Sequence, residues 1–337
     1  MPSPLVSIIL PFRDPGPLLD VCLDSIAAQT LEDFELLCID DHSGDGSRHR
    51  VAARARRDPR IRLLDNPGRG IVSALNHGLS RARGAWIARM DADDRMHPER
   101  LARQLRFMRS HPGLDLIGSR VHIVPAHRRN AGLVEYERWI NGCTSPRQIA
   151  DDRYVECPLP HPTWFTHRRF FERHGPYAQG PFPEDYELLL RALSRGARLG
   201  KHPQVLLEWR DSDARASRTD PRCMRSAFDR LRQSFLARDR RLHSGRQLAF
   251  WGAGRKTRKR MNALAGHGIA PDLWIDIDPR KIGNRIAGVP VASPEALVRP
   301  VRPFVLVLVA SHGARARISD WLESHGFRRG DDYLHVG

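Results

Sequence analysis

The run NPGRGIVSALNHGLSRARGAWIARMDADD, Asn66–Asp94, holds in one stretch a helix, a strand and the acids that follow it. Ile71, Leu75 and Leu79 recur at i, i+4 and i+8, and this single apolar stripe predicts a helix over Ile71–Ala82. Trp86–Met90 then predicts a buried strand, and Asp91-Ala92-Asp93-Asp94 stands where that strand stops. The alternation continues on both sides. Val6–Leu10, Phe34–Ile39 and Ile61–Leu64 read as strands, with helices over Leu18–Gln29 and Val51–Arg57 between them. Downstream, Pro98–Met108 reads as a helix with proline in its favoured first turn. Such a pattern predicts an α/β fold with a doubly wound, mostly parallel sheet. Ligands of these sheets bind beyond the carboxyl ends of the strands. The polar groups to inspect are therefore Arg13-Asp14, Asp40-Asp41 and Asp91–Asp94.

From Pro112 to Arg218 the chain is less regular and rich in Pro, His and Trp; its clearest element is a helix over Tyr186–Ser194, introduced by Pro183-Glu184-Asp185. The Arg-rich amphipathic stretch Pro221–Arg241 reads as a linking helix. A fresh strand–turn–helix begins at Leu248, with Gly252-Ala253-Gly254 as the turn and Lys256–Leu264 as the helix. Strands over Leu273–Ile277 and Val305–Val309 and a helix over Ala314–His325 follow. The expected organisation is a first domain over residues 1–220, a linking helix over 221–246 and a smaller Rossmann-like α/β domain over 247–337.

Mg²⁺ and Mn²⁺ take oxygen ligands, usually one or two carboxylates plus substrate phosphates. Asp91 and Asp93 at a strand end suit that task, although an isolated acidic turn serves equally well to cap the following helix. The acids do not stand alone. VSIILPFRD, LEDFELLCIDDHSGDGS, Asn66–Asp94, HPTWFTHRRFFERHGPY and PEDYELLLRALSRG occur in this order. As an ordered set over about Leu5–Ser217, they resemble the family 2 glycosyltransferases of the GT-A fold.

The resemblance implies an inverting enzyme that moves a sugar from a nucleotide-diphosphate donor to a hydroxyl of a glycan or lipid-linked acceptor, as in cell-surface polysaccharide synthesis. It implies Asp41, Pro11, Arg13, Arg69 and Asp91 on the donor side, with Asp41 accepting from a base N–H. It implies Asp93, helped by Asp91, as ligands of a divalent Mn²⁺ or Mg²⁺ cofactor. Asp185 is implied as the general base, with Glu184, His161 and Arg210 towards the acceptor. Plain alternatives stay open: Arg69 as a solvated surface arginine, Glu184 and Asp185 as a helix cap, His161 and Trp209 as core packing. One departure stands out. Many relatives carry Pro-x-Tyr-Asn in the first loop, whereas this chain reads Pro11-Phe12-Arg13-Asp14, with arginine at the aromatic position.

In the carboxy-terminal domain, Gly252 and Gly254 sit where a phosphate-cradling turn belongs. Asp276 sits where a dinucleotide fold puts its ribose-binding acid. The third glycine position is Thr257, so the fingerprint is incomplete and the domain reads as accessory. An NAD-linked oxidoreductase centred there is the alternative enzyme.

The charge is +16, and 51 of the 55 basic residues are arginine. Such a field draws polyanions, which makes a basic nucleic-acid-binding protein a further alternative. Neither the aromatic–basic interleaving of single-strand binders nor a recognised nucleic-acid motif accompanies it, so nucleic acid is not the expected partner. Contact of the Pro221–Arg241 arginines with an anionic membrane face is set against a solvated linker. No apolar run approaches the length of a membrane span, the start lacks a secretory signal, and a cytoplasmic protein is expected. Five scattered cysteines with no CxxC pair predict neither a disulfide framework nor a structural zinc site.

Overall fold

A computed structural model describes residues 3–125, 127, 130–213, 216–309, 311 and 313–337. The chain parts into two compact units. The first comprises Met1–Ile149, Pro158–Gly180 and Glu184–Arg215; the second comprises Ala150–Cys157, Pro181–Pro183 and Ala216–Gly337.

The first unit is built on eight strands: β1 (Val6–Phe12), β2 (Phe34–Asp40), β3 (Ile61–Asp65), β4 (Trp86–Arg89), β5 (Arg95–Met96), β6 (Leu116–Val124), β7 (Phe165–His167) and β8 (Leu199–Arg210). They run in the order β3-β2-β1-β4-β7-β6-β8-β5. The first four are mutually parallel, as the alternation predicted, and β7 is antiparallel to both β4 and β6. Both β1 and β2 are buried at every position, which explains why they read as continuous apolar runs rather than alternating ones. Pro11 fits inside β1 because it lies beyond the stretch paired to β4, where no partner on that side needs its missing N–H.

The helix Ile71–Arg81 packs on β1 and β2 through Gly78, whose missing Cβ would come within 2.7 Å of the Ile9 side chain and 2.9 Å of Ile39. The reach of this helix to the sheet is therefore set by a glycine. The next helix begins at Arg100, two residues later than expected, and proline does not occupy its first turn. Pro98 instead supplies the carbonyl that accepts from the Thr30 amide.

The second unit has strands β9 (Leu248–Trp251), β10 (Leu273–Ile275), β11 (Arg285–Ile286), β12 (Val289–Ala292), β13 (Phe304–Val307) and β14 (Tyr333–His335), ordered β11-β12-β10-β9-β13-β14. All neighbouring pairs are parallel except the β11–β12 hairpin. The stretch Pro221–Arg241 is not one helix: a 3-10 turn at Pro221–Cys223 precedes a helix over Arg225–Leu236, and a second 3-10 turn follows from Arg240. The first break falls at Met224, whose backbone is extended, and the second at Asp239, which accepts from the Arg241 amide. No helix among the described residues is long and apolar enough to cross a membrane.

Candidate active site

The acids expected at the strand ends converge at the carboxyl edge of the first sheet. β4 ends at Arg89, and the chain turns sharply through Asp91-Ala92-Asp93-Asp94 before β5. One carboxylate oxygen from each of Asp91, Asp93 and Asp94 lies within 4.8 Å of the others, with Asp94 buried and the other two half-buried. This is the one cluster of potential metal-ligating side chains among the described residues. Three hard oxygen donors on a tight turn fit a small divalent cation that keeps open positions for phosphate oxygens.

Neighbouring elements fix the turn. The Arg210 amide, at the end of β8, donates to Asp94 Oδ1 at 2.8 Å, and Arg210 Nε donates to the Asp93 carbonyl at 3.2 Å. Arg210, expected towards the acceptor, thus lies against the acidic turn. Behind it, the fully buried Arg100 donates to the Arg89 carbonyl at 2.8 Å and to Gln104 Oε1 at 3.0 Å. Burial pushes its guanidinium down to about 9, against the pull of Asp94. Arg89 is also buried and forms an ion pair with Asp91.

Asp185 lies in the first turn of the helix Glu184–Ser194 and accepts from the Tyr186 amide at 2.7 Å. Burial raises its carboxyl above the ordinary carboxylate range; the Tyr186 amide and Arg89 oppose that rise, and the negative charge of Asp91 adds to it. Asp185 therefore shares electrostatic neighbours with the acidic turn. Tyr177 belongs to the same group, its hydroxyl raised chiefly by burial and also by Glu184, Asp185 and Asp91. Its backbone is clamped by Asn76, which accepts from the Tyr177 amide at 3.0 Å and donates to its carbonyl at 2.9 Å.

His161 is 7% exposed, and its Nε2 lies 2.8 Å from the Tyr177 hydroxyl. Its ring meets Trp164 edge-on, and burial holds it well below the usual histidine range. Packing describes its contacts, and it reaches the site through Tyr177. Trp209 is buried in the hydrophobic core of the first unit.

At the end of β2, Asp40 accepts from the Ser43 amide at 3.0 Å and holds the turn. Asp41 is buried and faces the next helix: it accepts from Asn66 Nδ2 at 2.6 Å and from the Gly70 amide at 3.0 Å. Gly70 has φ near +84°, a conformation that favours glycine. Its amide consequently points back at Asp41 rather than along the helix. Arg69, beside it, is exposed and forms no hydrogen bond or ion pair among the described residues. Arg13 is also exposed, with Asp14 at 4.0 Å.

In the second unit, the turn Gly252–Gly254 follows β9. Gly252 has φ near +122°, and a Cβ there would press on Val309 at 2.9 Å. Asp276 closes onto this turn from within: Oδ2 accepts from the Ala253 amide and from Lys281 Nζ, both at 3.0 Å, and Oδ1 from the Asp278 amide at 3.0 Å.

The sequence reading missed Arg89, Arg100, Tyr177 and Asn66. Only Arg89 had a visible signal, a basic residue inside the apolar strand Trp86–Met90. Asn66 and Tyr177 are placed by contacts 25 and 101 residues away, and Arg100 by its burial behind the turn.

A sequence model described as Glycosyl transferase family 2 matches residues 7–175. The amylovoran biosynthesis glycosyltransferase AmsE of Erwinia amylovora is 31% identical over 193 residues, covering 57% of this chain and 70% of AmsE. The uncharacterized glycosyltransferase EpsJ of Bacillus subtilis is 41% identical over 91 residues. That match covers 27% of this chain, and the chain spans about a quarter (26%) of EpsJ's length. Among solved structures, S. aureus TarS 1–349 in complex with UDP-GlcNAc superposes with a TM-score of 0.55 at 16% identity, over 69% of this chain and 67% of that one. The likeness carries the fold, a mostly parallel GT-A sheet with a second sheet appended.

Proposed function

The chain belongs to glycosyl transferase family 2, and from that premise we propose that it transfers one sugar, with inversion, from a nucleotide diphosphate to an acceptor hydroxyl. The observation that carries this reading is the shared electrostatic neighbourhood of Asp185 and the acidic turn Asp91–Asp94. Inverting transfer needs a proton acceptor on one side of the anomeric carbon and charge compensation for the leaving diphosphate on the other.

Asp91, Asp93 and Asp94 would hold the cation, Mn²⁺ or Mg²⁺. When bound, such an ion supplies Lewis-acid compensation for charge developing on the leaving group. Asp185 removes the proton from the attacking hydroxyl, and its raised basicity suits that duty better than an ordinary carboxylate near 3.9. A single displacement from the opposite face inverts the centre, by the logic that governs single-displacement glycosidases. Asp41 has lone-pair capacity beyond the Asn66 and Gly70 donors to receive a base N–H. The exposed guanidiniums of Arg13 and Arg69 are available to the base face and the diphosphate.

The acceptor we infer is a growing glycan or a lipid-linked sugar. Arg225, Arg230, Arg238 and Arg240 are exposed in and beside the helix Arg225–Leu236, where they suit an anionic headgroup surface. Arg222, Arg232 and Arg241 are instead ion-paired to Asp220, Asp229 and Asp239. The second unit is an accessory domain. Gly252 and Gly254 shape its turn, and Asp276, occupied by its own chain, offers little to a dinucleotide ribose.

The experiment that tests the reading is a thermal-shift panel of UDP-, GDP-, dTDP- and CMP-sugars with and without Mn²⁺, followed by NMR of the anomeric product. One nucleotide class should stabilise the chain only with the metal, and the product should have the opposite anomeric configuration. Retention of configuration, or full activity of Asp93→Ala in chelator, overturns it.

A further inference from the structure

We propose that Arg89 is the built-in counter-cation of the acidic turn, a positioning residue that occupies Asp91 until a divalent cation competes for it. The inference rests on reading Asp91, Asp93 and Asp94 as the metal-binding acids. Arg89 closes β4, and its side chain is only 7% exposed. Its amide donates to the Trp164 carbonyl at 3.0 Å, and its own carbonyl accepts from Arg100 at 2.8 Å. The backbone is thereby tied on both sides, which sets the guanidinium beside Asp91.

Its Nε is shielded and finds no hydrogen-bond acceptor among the described residues. A buried cation so placed depends on a partner for compensation, and the ion pair with Asp91 supplies it. Burial works against the charged form of Arg89, and Asp91, together with Tyr177 and Asp94, more than offsets it. The dependence is mutual. Three carboxylates whose oxygens lie within 4.8 Å of one another repel in the absence of a cation. Arg210 engages the turn at Asp93 and Asp94, which leaves Asp91 to Arg89.

A metal ion that binds this turn must share Asp91 with Arg89 or displace it, and two cations at one carboxylate repel. The protein alone then holds the metal weakly. Tight binding waits for the diphosphate, whose oxygens add ligands and negative charge. Arg89 thus makes metal retention conditional on the donor.

The test is Mn²⁺ binding to nucleotide-free protein, read by electron paramagnetic resonance of the free ion, so no turnover is required. Arg89→Gln keeps a hydrogen-bond donor for Asp91 and removes the charge; Arg89→Met removes both; Arg89→Lys keeps the charge. Both neutral variants should bind Mn²⁺ about ten-fold more tightly than the parent, and the Lys variant should stay within about two-fold of it. The further gain on adding UDP should shrink in the neutral variants. A role in packing alone predicts the opposite sign, because a loosened turn binds metal less well. Unchanged or weaker Mn²⁺ binding in Arg89→Gln that retains the parent circular-dichroism spectrum overturns the proposal, even if Arg89→Met does not fold. A parent protein that binds no Mn²⁺ with any of UDP, GDP, dTDP or CMP overturns the metal-site reading itself, and this inference with it.

Discussion

Asp185 has the geometry for both duties that its sequence context allowed together, helix capping and the proposed general base. It caps the first turn of its helix through the Tyr186 amide, and it is the carboxylate whose basicity burial raises. Asp185→Asn preserves shape and hydrogen bonding while removing the basic oxygen. Its kcat should fall by about 10²–10⁴-fold, the usual general-base contribution, with donor affinity retained in a titration by fluorescence or calorimetry. The sign of the pH dependence follows from the direction of the shift. The deprotonated form is the active one and its value is raised, so the acidic limb of kcat should lie above the ordinary value of about 3.9, and activity should fall as pH drops through it. His161, held neutral by burial, should contribute no limb near neutrality.

At the scale of elements, the helix Ile71–Arg81 ties the proposed donor side to the core. Its first turn presents the Gly70 amide to Asp41, and its far end rests on β1 and β2 through Gly78. Gly78→Leu forces that helix away from Ile9 and Ile39. Overpacking of this kind costs about 1–3 kcal/mol, and displacement of Gly70 should weaken nucleotide binding as well. Denaturant unfolding and a nucleotide titration of the same variant measure both effects. In the second unit, Asp239 joins three partners: Arg153, Arg241 at 2.7 Å and the Tyr154 hydroxyl at 3.0 Å. Asp239→Ala removes the carboxylate that Arg153, Arg241 and the Tyr154 hydroxyl share, and loss of a buried ion-paired carboxylate costs up to about 3–5 kcal/mol. Such a loss should lower the unfolding midpoint of the carboxy-terminal unit.

Across the whole molecule, charge and titration set the response to conditions. His335 in β14 is pushed down to about 3, chiefly by burial and also by Arg329 and Arg315. The folded chain keeps it neutral where the unfolded chain protonates it near pH 6.5. Its contribution is therefore complete above about pH 6.5 and is lost as pH falls towards 3. The melting temperature should decline over that window, and His335→Asn should flatten the slope. The +16 charge suggests a second whole-molecule response. The exposed arginines around Arg225–Leu236 should carry the protein into the pellet with anionic vesicles at low salt and release it as the Debye length shortens. Retention in the supernatant under both conditions shows that these arginines face only solvent.

The parallel core of the first sheet was legible because period and burial leave a local mark: Ile71, Leu75 and Leu79 face one way, and β1 and β2 are apolar throughout. The strand-end positions of Asp41, Asp91 and Asp93 were legible for a related reason, since they follow directly on apolar strands. The breaks at Met224 and Asp239 were missed because an amphipathic pattern runs through them, while one extended residue or one capping aspartate diverts the backbone. What only the tertiary structure decided is the company each acid keeps. Arg89 meeting Asp91, Arg210 reaching Asp93 and Asp94, and Tyr177 clamped by Asn76 are contacts between elements. Except for Arg89 and Asp91, their members lie about a hundred residues or more apart. Local periodicity encodes which face of a strand or helix is buried, and the packing of elements distant in the chain decides which of their side chains meet.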